Sequence, residues 1–100
     1  MIPNINGGWL SKGHLVYIIT QVEDKFVWRT VHANGVTETG IGSFKTYEKE
    51  EMNTEVTVQW NFHGGNLLAT VHKSKGTVVV VRGKATEIHW SDRDDFRCVH

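Results

Sequence analysis

The stretch Val56-Thr57-Val58-Gln59-Trp60-Asn61-Phe62 decides the fold class of this chain. Val56, Val58, Trp60 and Phe62 fall on one side of an extended backbone, and Thr57, Gln59 and Asn61 on the other. That period of two is the signature of a half-buried β-strand. Working outward, residues 14–21 (HLVYIITQ) and 25–32 (KFVWRTVH) are rich in β-branched and aromatic residues, and the polar turn Val22-Glu23-Asp24 parts them. Asn34-Gly35 is a strong hairpin signal, because both residues accept positive φ at little cost. Residues 36–44 then return, with Gly40 and Gly42 in their interior; glycine inside a strand marks a bulge, a sharp bend or close backbone approach. On the C-terminal side His63-Gly64-Gly65-Asn66 turns the chain into 67–72, and Lys73-Ser74-Lys75-Gly76 turns it into 77–82. Gly83-Lys84 leads into 85–90, and a polar turn over 91–94 precedes 95–99.

Counting a short strand at Trp9, the chain reads as about eight strands with turns every 8 to 12 residues or so. Only residues 45–53 (KTYEKEEMN) break the pattern; they are charged, lack alternation, and read as a solvated loop or a helical turn. Short consecutive connections favour a meander of neighbouring antiparallel strands. Closing such a meander into a small up-and-down barrel removes both exposed sheet edges. The expectation is therefore an all-β fold, one antiparallel barrel domain over residues 1–100, with a two-sheet β-sandwich as the alternative.

Composition narrows the function classes. The 100 residues carry 11 Lys+Arg and 11 Asp+Glu, a formal net charge of zero, which argues against a nucleic-acid partner held by phosphate attraction. Apolar runs such as 78–81 are far shorter than the ~20 residues of a membrane-spanning helix, so no membrane partner is expected. The N-terminus Met1-Ile2-Pro3-Asn4 has no charged segment followed by an apolar one, the mark of a secretory leader. With the single Cys98, this fits a reducing, cytoplasmic setting.

Gly7-Gly8-Trp9 is a Gly-x-Trp tripeptide opening the first strand, and Arg97 follows Phe96 in the last. This pairing resembles the calycin group of barrels, which includes lipocalins and avidins, where an early Trp closes one end and a late basic side chain packs over it. Residues 8–13 through Tyr17-Ile18-Ile19-Thr20 look most like the first hairpin of avidins. Ile88-His89-Trp90-Ser91 with Phe96-Arg97 resembles the end of small bacterial avidin-like or lipocalin-like barrels. The resemblance implies that Trp9 and Arg97 stack to close the barrel end opposite the pocket, an attraction of about 0.5–2 kcal/mol. It does not imply biotin: Leu15 stands where an avidin has a polar ligand-holding side chain.

Trp9, Trp28, Trp60 and Trp90 are the most distinctive residues. Trp60 and Trp90 read as core filling from their clear alternation, whereas Trp28 shares a face with Phe26, Thr30 and His32, a mixed set that suits a pocket wall. The six histidines show no His-x-His pair and no Cys or carboxylate at ligand spacing, so no metal and no cofactor are expected. Glu87 and His89 form an i, i+2 pair on one strand face, the germ of a small enzyme site, but Ser91 and Cys98 lack any nucleophile-elbow setting. Cys98, in phase with Phe96, reads as a small buried hydrophobe.

The leading expectation is non-catalytic binding of a small, partly apolar ligand in a pocket walled by Tyr17, Trp28, Trp60 and His89. The alternative is a structural or interaction module with a filled interior that works as a homo-oligomer through its outer face. A weaker alternative is an enzyme using His89 and Glu87.

Overall fold

The alternation becomes eight antiparallel strands in the computed structural model, which describes residues 1–46, 52–64 and 70–99. They are β1 (Gly7–Leu10), β2 (Val16–Val22), β3 (Lys25–Val31), β4 (Thr37–Phe44), β5 (Glu55–His63), β6 (His72–Val81), β7 (Lys84–Trp90) and β8 (Phe96–Cys98). Each strand pairs with its neighbours in sequence, and β1 pairs with β8 to close the wall. The barrel is therefore the up-and-down meander expected from the short connections, not the sandwich. Alternate residues point inward: Phe26, Trp28 and Thr30 of β3 are buried between exposed Lys25, Val27, Arg29 and Val31.

Two local readings change. Lys73-Ser74-Lys75-Gly76, expected as a turn, lies inside β6, with Lys73 and Lys75 outward and Ser74 and Gly76 inward. The polar composition imitates a turn but obeys the strand's period of two. The neighbouring expected strand over 67–72 and the loop over 45–53 fall largely outside the described residues. At Asn34-Gly35 only Gly35 takes positive φ, and bonds from Gly35 N to His32 O and from His32 N to Val36 O make a three-residue connection.

Gly40 and Gly42 mark close backbone approach. The β3–β4 register runs unbroken from Lys25↔Ser43 to Val31↔Thr37, and the irregularity falls between Val79 and Val80 instead. A Cβ on Gly40 would overlap the Trp28 indole, and one on Gly42 would overlap the Phe26 ring. The missing side chains let two large rings lie flat across the next strand, which is how a barrel this narrow holds so many aromatics.

One end of the barrel carries the turns β1–β2, β3–β4 and β7–β8; the other carries the N-terminal segment. That segment is the plug. Ile5 has no exposed surface and Pro3 is buried. Ile5 N donates to Gln21 Oε1 at 2.7 Å, Gln21 Nε2 donates to Pro3 O at 3.1 Å, and Trp9 Nε1 donates to Ile5 O at 2.9 Å. Trp9 is thus a closing indole, but its partner is not Arg97. In the β1–β8 ladder Trp9 faces Cys98 and Arg97 faces Leu10; Trp9 is buried while Arg97 is exposed. Neighbours on a strand point to opposite faces, so position 97 is placed outside the wall that position 9 lines.

Candidate functional site

Inward positions near the turn-bearing end form two cross-strand rows. One row is Thr30, Glu38 and Phe62; the next is Trp28, Gly40, Trp60 and His72. Glu38 sits in phase with Gly40, Gly42 and Phe44, so the strand's alternation carries its carboxylate into the interior, where 1% of the residue remains exposed. A carboxylate in such a place needs partners for both oxygens.

It has them. Tyr17 Oη donates to Glu38 Oε1 at 2.9 Å, and His32 Nε2 lies 3.2 Å from the same oxygen. Trp28 Nε1 donates to Oε2 at 3.1 Å, and Arg93 Nη1 donates to Oε2 at 2.8 Å. Arg93 comes from the β7–β8 turn and reaches inward until its side chain is only 11% exposed. Its Nη2 donates to Tyr17 Oη at 2.7 Å, so the phenol relays between cation and carboxylate. The guanidinium carbon lies 4.4 Å from the Trp60 ring centre and 5.1 Å, 5.2 Å and 5.3 Å from those of Trp28, Tyr17 and Phe96. A desolvated guanidinium among four ring systems gains cation–π attraction beyond its ion pair. Burial, helped by the Glu38 charge and opposed by Arg93, pushes the Tyr17 phenol far above its ordinary range, so it stays a donor.

Above this network the rings are only half buried. His72 stacks on Trp60 with centroids 4.3 Å apart and planes at 20°, while Phe62 meets Trp60 edge-on at 5.5 Å. His32 meets Phe62 at 5.3 Å, and Trp60 Nε1 donates to Ser74 Oγ at 2.9 Å. Trp60, Phe62 and His72 lie on the inner side of β5 and β6, and His32 follows the end of β3; β6 pairs with β7 only from Gly76 onward, leaving His72 to Lys75 beyond that ladder. The arrangement offers aromatic faces over a charged floor. Glu38 itself is not a free base, because it already meets four partners.

The expected site residues part company here. Tyr17 and Trp28, 1% and 2% exposed, belong to the floor and core. Trp60, read as core filling by its alternation, is the tryptophan that remains half buried at the mouth, whereas Trp90 fills the core. His89 does not line the interior: position 89 is outward, and its ring binds Asp95 Oδ2 at 2.7 Å and Glu87 Oε2 at 3.3 Å. Its alternation with buried Ile88 and Trp90 dictates that placement. The hydrogen bond to Asp95 leads the causes that raise the His89 pKa above its ordinary value. Cys98 is partly buried against the core. Among the described residues no group of three or more His, Cys, Asp or Glu side chains could hold a metal ion, and no helix is long and apolar enough to cross a membrane.

Sequence reasoning missed Glu38 and Arg93. Glu38 had a signal, a charge in phase with Gly40, Gly42 and Phe44. Arg93 had none, since it stands in the polar run Ser91-Asp92-Arg93-Asp94-Asp95. No family model, curated protein or solved structure matches this chain.

Proposed function

We propose that this chain is a calycin-like binding barrel that holds a small, partly apolar ligand with a flat face at its turn-bearing mouth, without catalysis. The observation that carries the reading is the half-buried ring cluster of Trp60, Phe62, His72 and His32 above the buried Glu38–Arg93 pair. Aromatic faces remove apolar ligand surface from water at about 25 cal/mol per Å², and a few polar groups fix orientation. Tyr17 and Trp28 act from below, by positioning Glu38 and Arg93; Trp60 is the wall. The Gly-x-Trp opening and the closed meander support the calycin-like assignment, although the arginine that stacks on the aromatics comes from the last turn.

The test is a panel of flat aromatic and sugar-ring compounds read by tryptophan fluorescence and melting temperature. Binding should quench emission and raise the melting temperature, and Phe62→Ser should remove both effects while leaving the fold intact. A panel that shifts neither quantity defeats the reading.

A second reading has its own observation. Val16, Ile18, Val27, Val31 and Ile41 are exposed on the outer faces of three adjacent strands, β2 to β4. Such a set suits a homo-oligomer joined through the barrel wall. Sedimentation that shows a dimer, and a monomer after Ile18→Glu, would favour it; a wild-type monomer at all concentrations would not.

A further inference from the structure

The outer surface of β3 to β6 carries a groove flanked by basic side chains, and Glu55, the acidic residue on the outer face of these strands, pairs with Lys45 at 3.8 Å. One cross-strand row runs Lys25–Ser43–Thr57–Lys75, and the next runs Val27–Ile41–Gln59–Lys73. Arg29 follows beside Thr39 and Asn61 in a third. Lys25, Lys73 and Lys75 border a groove of about 810 Å³ on this face, and among the described residues no carboxylate lines it. Lys25 has Asp24 at 3.6 Å, whereas among the described residues Arg29, Lys73 and Lys75 have no acidic partner. The chain holds equal numbers of acidic and basic residues, so this face reflects segregation, not excess. Glu87, Asp92, Asp94 and Asp95 lie on β7 and the turn that follows it.

From this placement we infer that the outer face of β3 to β6 binds an extended acidic polysaccharide. Three inter-strand steps set the lysines of β3 and β6 about 14 Å apart, rails on either side of a floor wide enough for a single sugar chain. The floor presents the hydroxyls and amides of Thr39, Ser43, Thr57, Gln59 and Asn61 beside apolar Ile41, Val58 and Val71; the polar groups match sugar hydroxyls and the apolar ones the faces of sugar rings, while the lysines meet carboxylate or sulfate groups. A single-stranded nucleic acid fits less well, because the three rows carry no aromatic side chain and Trp60, the aromatic residue lining the groove, is already engaged by Arg93 and His72. An acidic peptide fits less well too: β4 and β5 are paired on both sides and offer no free backbone edge. The site opens on the outside of the wall, shares Trp60 and Ser74 with the mouth cluster, and does not depend on the ligand proposed there.

The test uses the full chain and immobilised heparin, polygalacturonate, neutral dextran, poly(U) and poly-glutamate. Binding to heparin or polygalacturonate is expected, weakening as salt is raised, and whichever is bound assigns sulfate or carboxylate as the group read. Lys73→Glu with Lys75→Glu should weaken it at least about tenfold, whereas Lys84→Glu with Arg97→Glu, the same change in net charge elsewhere, should change it less than about twofold. Melting temperatures of both pairs are compared, and if the first pair fails to fold, Lys73→Gln with Lys75→Gln is held to the same criterion. Failure to bind either acidic polysaccharide, or equal loss in the control pair, overturns the inference. So does equal binding to neutral dextran, and tighter binding to poly(U) or poly-glutamate assigns the face to that polymer instead.

Discussion

The Glu38 carboxylate and the Arg93 guanidinium stand 55 positions apart in the chain and meet at 2.8 Å inside the barrel. Glu38 is held by the wall at β4, whereas Arg93 hangs from the β7–β8 turn, so the pair ties that turn across the mouth. Because both charges are nearly out of water, their attraction is set largely against the cost of removing their hydration. The pair therefore specifies where the turn sits more than it raises stability.

This gives an asymmetric expectation for mutagenesis. Glu38→Gln leaves a buried guanidinium without its counter-charge and should cost about 3–5 kcal/mol. Removing both charges together, as Glu38→Leu with Arg93→Met, should cost clearly less than the single change, since no uncompensated ion remains. Urea denaturation of Glu38→Leu, Arg93→Met and their double measures the coupling. Additive losses would show that the two groups do not act as a pair.

Tyr17 provides a pH test. Its phenol is raised in the folded protein above the ordinary value near 10, chiefly by burial. The unfolded chain then gives up this proton at lower pH than the folded one, so its contribution to stability is intact below about pH 10 and falls as the pH climbs beyond it. Tyr17→Phe should flatten that alkaline decline. Tyrosinate absorbance should show Tyr17 ionising together with loss of the fold; ionisation at an ordinary phenol pH in the native protein would contradict the buried network.

The wall was legible in the sequence because a strand's period of two is a local property that writes itself into every second residue. Residues 56–62 and 25–32 carried that record in full. The turn expected at 73–76 is strand instead, because phase and not polar composition decides there: Lys73 and Lys75 point out, and Ser74 reaches Trp60. The site was less legible because it joins residues from different strands and a turn. Tyr17, Trp28 and Trp60 could be named from their type, but their partner Arg93 reaches them only through the closure of the barrel. His89 lies on the outer face for a local reason, its alternation with buried Ile88 and Trp90, which its chemistry does not override.

Gly40 should tolerate no side chain. A methyl group there would overlap the Trp28 indole, and Trp28 is pinned by its bond to Glu38 at 3.1 Å. Overpacking of this kind typically costs about 1–3 kcal/mol, so Gly40→Ala should lower stability by that amount. Gly13, with open space around it, supplies the control, and Gly13→Ala should stay within about 0.5 kcal/mol. The two denaturation midpoints, measured side by side, decide the matter. An unchanged midpoint for Gly40→Ala would mean that the indole has room to move away.

The plugged end separates two ways of closing a barrel. If Arg97 covered Trp9, its loss would be felt in the core; with Arg97 outside the wall, Arg97→Ala should stay within about 0.5 kcal/mol of wild type. Ile5 is fully buried beneath Trp9 and accepts its indole N–H at 2.9 Å. Ile5→Ala keeps that backbone bond but opens a cavity, and should cost about 2–5 kcal/mol. Trp9 emission should also shift to longer wavelength as water enters the gap, whereas the Arg97 variant should leave the spectrum unchanged. The reverse order of the two losses would return the closing role to Arg97 and make the N-terminal segment an ornament of the fold instead of its plug.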